Sequence, residues 1–401
     1  MNFKKLVALS LAASVTFFPL VGEASSKDQL VAPKKVSVEN VSVEKGSYEK
    51  GEVIVKFKEK ASKSAKGDAI KNLNAKIAPD EDGVKSSFKV LKVKNVEAVV
   101  SALNKNPNVE YAEPNYTFKA TWTPNDTYYR GYQYGPQNTS TNYAWDIIRG
   151  SSSQEIAVLD TGVDYNHPDL NGKTIRGYDF VDNDYYPMDL NGHGTHVAGT
   201  TAAETNNSTG IAGMAPNTSI LAVRVLDANG SGSLADIADG IRYAADTGAE
   251  VINLSLGCNC DTATLENAVN YAWNSGSVVI AAAGNDGVST TFEPASYSNV
   301  IAVAAVDSND RLASFSNYGS WVDVAAPGVD IASTVPNNGY SYMSGTSMAS
   351  PHVAGLAGLL AGQGRSNYQI RQAIEQTADN TSGTGYYFEH GRINSYDAVR
   401  Y

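Results

Sequence analysis

Three short segments of this 401-residue chain carry the residue types that nucleophilic catalysis needs. Asp160-Thr161-Gly162-Val163-Asp164 offers carboxylates, Asn191-Gly192-His193-Gly194-Thr195-His196 offers imidazoles, and Gly345-Thr346-Ser347-Met348-Ala349-Ser350-Pro351 offers a hydroxyl. A serine hydroxyl is a poor nucleophile until a neighbouring base takes its proton. Imidazole titrates near neutrality and is the usual base, while a buried carboxylate fixes its tautomer and stabilises the imidazolium. Residues 352–360 are nearly all small or apolar and read as a buried helix, which places Ser347 at its start. A helix N-terminus presents unpaired N–H groups and partial positive charge, and both favour a developing anion. Pro351, four residues after Ser347, cannot donate to the Ser347 carbonyl, so one helical bond is missing. A serine N-cap on an ordinary core helix fits the same stretch, so the other segments must decide.

The base follows by elimination among five histidines. His167 sits in a turn, His352 lies on the helix of Ser347 but points off its face, and His390 is in a C-terminal loop. His196 is one turn deeper in the helix that His193 opens. His193 is flanked by two glycines, where the backbone can approach a substrate closely, and is the expected base.

The elements that must position these groups read as a parallel α/β fold. Apolar strands are expected at 154–160, 220–225, 251–256, 278–283 and 300–306, alternating with helices at 193–203, 234–246, 265–274, 347–360 and 369–376. Continuous Val/Ile/Ala strands alternating with helices imply a mainly parallel central sheet covered on both faces, a three-layer arrangement. In such folds ligands sit at the C-terminal strand edge. Asp160 and Asn285 both fall just past strand ends and can meet there.

The charge divides the chain sharply. Residues 1–121 hold 20 lysines and 14 acidic residues, a net +6, whereas 122–401 hold one lysine, ten arginines and 28 acidic residues, a net −17. The acidic body argues against nucleic acid and is compatible with cation binding. Lys4 and Lys5, an apolar run from Leu6 to Val21 and Gly22-Glu23-Ala24 read as a signal peptide over 1–24, implying a secreted, extracellular protein. No later run is long and apolar enough to cross a membrane. Residues 25–121 read as a polar linker followed by a small α+β module at about 51–117, with strands at 51–57, 88–93 and 109–114 and helices at 61–77 and 96–103. The body, 122–401, follows.

Asp-Thr-Gly, Gly-His-Gly-Thr-His-Val-Ala-Gly and Gly-Thr-Ser-Met-Ala-Ser-Pro-His-Val-Ala-Gly, in that order, resemble the three signature segments of subtilisin-like serine proteases, the thermitase branch above all. The likeness runs from about Trp122 to Tyr401, and the small module resembles the inhibitory pro-segment that precedes such enzymes. The resemblance implies a subtilisin-like fold and a secreted serine endopeptidase of broad specificity. It would be made as an autoprocessed precursor, with protein and peptide substrates, its own pro-peptide as transient inhibitor, and no oligomeric partner. Asp160, His193 and Ser347 would form the triad and Asn285 would donate to the oxyanion. Gly230, Ser231 and Gly232 would face Ser255, Leu256 and Gly257 across an extended peptide, held mainly by backbone hydrogen bonds. Ala282 and Gly284 would line an uncharged pocket for the residue before the scissile bond.

Metal expectations rest mostly on the same resemblance. Asp179, Asp182 and Asp184 cluster hard oxygen ligands at alternating spacing, as calcium requires, although a surface acidic loop has the same look. Thermitase-like enzymes imply calcium on these aspartates with the carbonyls of Tyr186 and Met188. A second calcium would join Asp126, Asp169 and Asn207 to the carbonyls of Glu204, Thr209 and Ile211. A third, by family analogy alone, would use Ala295, Tyr297, Val300 and Asp323. Cys258 and Cys260, the only cysteines, suggest a tight disulfide in a secreted protein, with two free thiols or an intermolecular bond as alternatives. Two rival functions remain: a non-catalytic binding protein, which would break the triad, and a lipase-like hydrolase, which would want Gly-x-Ser-x-Gly and the order Ser, Asp, His. The chain shows neither departure.

Overall fold

The computed structural model describes residues 48–78, 86–117 and 122–401. The expected signal peptide and the boundary at Thr121 lie outside the described residues. Two compact units are present: among the described residues the smaller takes 48–117, 122–123 and 142–147, and the larger 124–141 and 148–401.

The smaller unit runs β1 (Tyr48–Phe57), α1 (Lys63–Lys71), β2 (Lys76–Ile77), β3 (Lys89–Lys92), α2 (Val96–Asn104) and β4 (Val109–Tyr116). Its antiparallel sheet has the order β2-β3-β1-β4, with Val53, Val55, Leu91, Val99 and Leu103 in its core. The helix expected over 61–77 is two elements. It stops at Lys71, Asn74 turns the chain at φ 51°, and Lys76–Ile77 then pairs with β3. Asn and Asp tolerate that left-handed conformation better than other non-glycine residues.

Three single-turn helices, α3 (Tyr129–Tyr132), α4 (Gly135–Asn138) and α5 (Thr141–Ala144), precede the main sheet. The sheet is built from β5 (Glu155–Asp160), β6 (Thr174–Asp179), β7 (Ser219–Arg224), β8 (Val251–Leu254), β9 (Val278–Ala282), β10 (Val300–Val306), β11 (Val324–Pro327) and β14 (Gly391–Arg392). β12 (Ile331–Val335) and β13 (Gly339–Met343) form a separate antiparallel hairpin. The helices are α6 (His193–Ala202), α7 (Leu234–Asp246), α8 (Ala263–Asn274), α9 (Thr346–Ala361), α10 (Asn367–Gln376) and α11 (Ser395–Ala398). All eight strands pair parallel, in the order β14-β11-β10-β9-β8-β5-β7-β6.

Side chains alternate between the sheet's two faces. Ala157 and Leu159 of β5 pack in one cluster with Ile241 of α7 and Val269 of α8. Ile156 points the other way, to α9, where a Cβ on Gly358 would fall 2.6 Å from its Cδ1. Ile156, Val158 and Leu159 are fully buried, each stabilising the fold by about 1.5–3 kcal/mol. That exceeds the roughly 1 kcal/mol of a single hydrogen bond. The position of Asp160, next along β5, is therefore set by packing rather than by its own contacts. β5 is also where the sheet order reverses, with β7 on one side and β8 on the other. The crevice beyond the strand ends opens there. The one lysine of the larger unit, Lys173, donates its ammonium to the Pro216 carbonyl, and burial lowers its pKa to about 8.

Candidate active site

Asp160 ends β5 fully buried. Its Oδ1 accepts from its neighbour's amide, Thr161 N, at 2.7 Å and from His193 Nδ1 at 2.7 Å. His193 opens α6, and its side chain keeps 27% of its surface exposed. Burial, the largest influence on this imidazole, works against its charge. The charge and hydrogen bond of Asp160, with the Asp189 charge behind them, outweigh it and hold the pKa above its ordinary 6.5. A proton on Nδ1 facing the carboxylate leaves Nε2 as the basic nitrogen.

The other histidines are engaged elsewhere. His196 Nε2 meets the carbonyls of Ile331 and Ser341, and burial lowers its pKa to about 3. His352 Nδ1 donates to the Met348 carbonyl and is lowered to about 4. His167 Nδ1 accepts from Asp169 N, and burial lowers its pKa too. Burial holds each of these three neutral.

Ser347 lies in the first turn of α9, whose cap is Gly345. The carbonyl that Pro351 leaves without a helical donor accepts from Ser255 Oγ at 2.9 Å, and Ser347 Oγ donates to the Ser255 carbonyl at 3.1 Å. Asn253 Nδ2 holds Ser255 Oγ at 3.0 Å, and Ser350 Oγ holds Asn253 Oδ1 at 2.7 Å. Ser347 is thus keyed to the segment beyond β8. The described hydrogen bonds include none between Ser347 and His193; such bonds are often long in free enzymes and tighten with substrate. Asn285 Oδ1 accepts from Thr346 N at 2.8 Å and Thr346 Oγ1 at 3.0 Å. The two donors fix which end of the amide is oxygen, and Nδ2 has no protein partner among the described bonds.

A carboxylate–imidazole pair beside a helix-start serine is shared by several unrelated folds, so family membership rests on the comparisons. The model of the subtilase family matches residues 151–392. The chain belongs to the subtilase family. A second model, the fervidolysin N-terminal prodomain, matches residues 34–115. The chain is 73% identical to a thermophilic serine proteinase of Bacillus sp. strain AK1 over the full length of both. It is 62% identical over 280 residues to thermitase of Thermoactinomyces vulgaris, covering 70% of this chain and all of thermitase. A solved protease structure from Pseudoalteromonas arctica superposes with TM-score 0.63 at 34% identity, over 70% of this chain and 99% of that one. The subtilisin-type serine protease expected from the motifs, with its parallel sheet and N-terminal prodomain, is what the chain is.

In this subtilase the expected peptide-binding residues flank the site. β8 ends at Leu254, two residues short of the expected strand, so Ser255, Leu256 and Gly257 lie beyond the ladder. A Cβ on Gly257 would meet Phe292 Cε1 at 2.4 Å and the Glu293 carbonyl at 2.5 Å, which requires glycine. Gly230, Ser231 and Gly232 form a loop tied by Asp227, whose carbonyl accepts from Gly230 N and whose amide donates to the Ser231 carbonyl. Ala282 closes β9 and Gly284 follows at φ +99°, with no charged side chain between them. Cys258 and Cys260 meet with Cα atoms 5.3 Å apart, inside the range of a disulfide. Glu293 clamps both, exchanging backbone bonds with Cys258 and accepting from Cys260 N at 3.0 Å.

The three metal sets fit calcium unequally. Among the described residues, no group of three or more His, Cys, Asp or Glu side chains is placed to hold a metal by itself. Asp126 and Asp169, 4% and 0% exposed, are brought together with the 204–211 loop. Burial raises both pKa values, and repulsion from Asp169 adds to the rise at Asp126. Asn207 and the carbonyls of Glu204, Thr209 and Ile211 belong to the same loop. Two buried carboxylates with mutual repulsion suit a cation. At the Asp179, Asp182 and Asp184 set Arg224 is already the cation, reaching Asp179 Oδ2 at 2.9 Å and Asp182 Oδ2 at 2.6 Å, while Asp184 accepts from Tyr186 N. At the third set the Arg371 guanidinium bonds Asp323 Oδ1 at 3.0 Å and the Ser298 carbonyl at 2.6 Å. Asp323 Oδ2 takes Ala302 N, and the Tyr297 carbonyl takes Val300 N. At that set the Arg371 guanidinium already pairs with the carboxylate.

The motif reading passed over Asp189, four residues before His193. It is 4% exposed and accepts five donors. An aspartate shortly before a helix start is a capping signal visible in sequence.

Proposed function

We propose that this subtilase is a secreted endopeptidase of broad specificity, with Asp160, His193 and Ser347 as its triad and Asn285 as an oxyanion donor. The observation that carries the reading is the 2.7 Å bond that His193, partly exposed and of raised pKa, makes to buried Asp160. In turnover Ser347 Oγ leaves the Ser255 carbonyl and attacks the peptide carbonyl while His193 Nε2 takes its proton. Asp160 keeps the imidazole in the Nδ1–H tautomer and stabilises its charge. Asn285 Nδ2 and the Ser347 amide hold the oxyanion. His193 then protonates the leaving amine, and water, deprotonated by the same nitrogen, releases the acyl group. Residues 230–232 and 255–257 hold the peptide as an added strand, and Ala282 and Gly284 line an apolar pocket.

Residues 1–24 are read as the signal, 25–121 as a pro-segment cleaved by the enzyme itself, and 122–401 as the mature protease. Calcium is assigned to Asp126, Asp169, Asn207 and the carbonyls of Glu204, Thr209 and Ile211, where it would neutralise paired carboxylates and pin the start of the mature chain. The Asp179, Asp182 and Asp184 loop takes calcium only by sharing its carboxylates with Arg224. Cys258 and Cys260 are read as bridged.

The deciding experiment is mass spectrometry of the secreted protein after a sulfonyl fluoride inhibitor, beside Ser347→Ala. The expected product is a species beginning near Trp122 with one label on Ser347, and an unlabelled precursor for the variant. A wild type that takes no label and keeps its first 121 residues removes the triad and self-processing together.

A further inference from the structure

The first three amides of α6 are satisfied by side chains from outside the helix. Asn191 Oδ1 accepts from His193 N at 3.2 Å, Thr161 Oγ1 from Gly194 N at 2.9 Å and Asp189 Oδ2 from Thr195 N at 2.9 Å. The residue at the cap itself is Gly192, at φ +108°, and has no side chain to offer. Asp189 organises the whole set. Its Oδ2 also takes the Thr195 hydroxyl, and its Oδ1 takes Asn191 N at 2.9 Å, Gly192 N at 2.8 Å and Thr161 Oγ1 at 2.9 Å. The Thr161 amide in turn donates to Asp160 Oδ1, the atom that holds His193.

From this geometry we infer that Asp189 is a positioning residue for the reaction: it fixes the start of α6 and, through the Thr161 hydroxyl, the Asp160 carboxylate, so that imidazole and carboxylate meet in one orientation. The inference rests on the triad reading above. Charge supports it. The groups facing His193 are Asp160 from β5, Asp189 from the preceding loop and His196 from its own helix. His196 is neutral at working pH, so the two carboxylates alone favour the imidazolium. A five-donor buried carboxylate could serve stability alone. What separates the two roles is where the donors sit: the Asn191 and Gly192 amides lead directly into His193, and the Thr161 hydroxyl belongs to the residue whose amide holds Asp160. An error there of about 1 Å costs on the order of 10²-fold in rate.

The test uses full-length chains carrying Asp189→Asn, Thr161→Val, Thr161→Ser or His193→Ala. Each is matured by trace affinity-tagged wild type that is then removed. Asn keeps the shape of Asp189 but removes its charge and faces Thr195 N with a donor. Val removes the Thr161 hydroxyl, and Ser restores it. Rates are taken per folded molecule, with thermal midpoints measured in parallel. Expected for Asp189→Asn and Thr161→Val is a fall in kcat of about 10- to 100-fold with KM within about twofold. The acid limb of kcat/KM should move to lower pH in Asp189→Asn, and Thr161→Ser should recover most of the lost kcat. A lowered thermal midpoint with wild-type kcat and an unmoved acid limb overturns the inference and leaves Asp189 a stability residue. If Asp189→Asn does not fold, the Thr161 pair decides: equal kcat in Val and Ser overturns the coupling through Thr161. A His193→Ala protein with wild-type kcat would instead remove the triad reading itself.

Discussion

His193 joins two opposing pH dependences. Its folded-state pKa lies above 6.5, so the ion pair with Asp160 contributes fully to folding below about pH 6.5 and is lost as pH rises through the raised value. Catalysis needs the neutral base and runs the other way. Activity should therefore climb with pH on a limb centred above 6.5, towards an alkaline optimum. Asp160→Asn should lower that limb and reduce kcat by about 10⁴, the loss seen when a triad carboxylate becomes an amide and the imidazole takes the wrong tautomer. A kcat/KM profile of both proteins checks this, and an unchanged limb in the variant would detach Asp160 from His193. The three motifs made Asp160, His193 and Ser347 legible in the sequence because each carries a residue type with its own chemistry. Asp189 was legible only as a capping aspartate: its link to Asp160 and His193 shows only once its donors are placed in space.

At the scale of elements, the odd feature of α9 proves to be a joint. Pro351 frees the Ser347 carbonyl, and Ser255 Oγ occupies it while Asn253 holds Ser255 from behind. Ser255→Ala leaves that carbonyl and Asn253 Nδ2 without partners, at a cost of about 1–3 kcal/mol. Guanidinium unfolding should show the midpoint falling with its slope unchanged. A midpoint equal to wild type would mean water replaces the hydroxyl fully. The helices α6 to α10 and the strands β5 to β10, apart from β6, could be read from apolar runs and alternation. The strands β6 and β11 to β14 could not. Thr174–Asp179 carries Arg176 at a sheet edge, and Gly391–Arg392 is two residues long, so neither offers a pattern that exceeds its surroundings. The overlong helix at 61–77 failed similarly, since Asn72 and Asn74 keep the helical spacing while ending the helix.

For the whole molecule, net charge and cations are linked. The larger unit gathers buried carboxylates and meets them unevenly, with Arg224 and Arg371 at two clusters and no basic side chain among the hydrogen-bond partners of Asp126 and Asp169. Chelation should therefore lower the melting temperature through the Asp126 and Asp169 cluster. With calcium at about 100 times its Kd the loss would be about 2.7 kcal/mol. Asp169→Asn should remove most of the chelator's effect. Scanning calorimetry with and without chelator checks this, and equal chelator sensitivity in the variant would move the dependence elsewhere. The distribution of lysine carries a different consequence. Twenty of the 21 lie in the first 121 residues, and the remaining one, Lys173, is bonded to Pro216. A peptidase that cuts after lysine would find targets throughout the leading segment and one guarded target in the rest. On the pro-segment reading proposed above, such a peptidase would cut up the leading segment and leave the body almost whole.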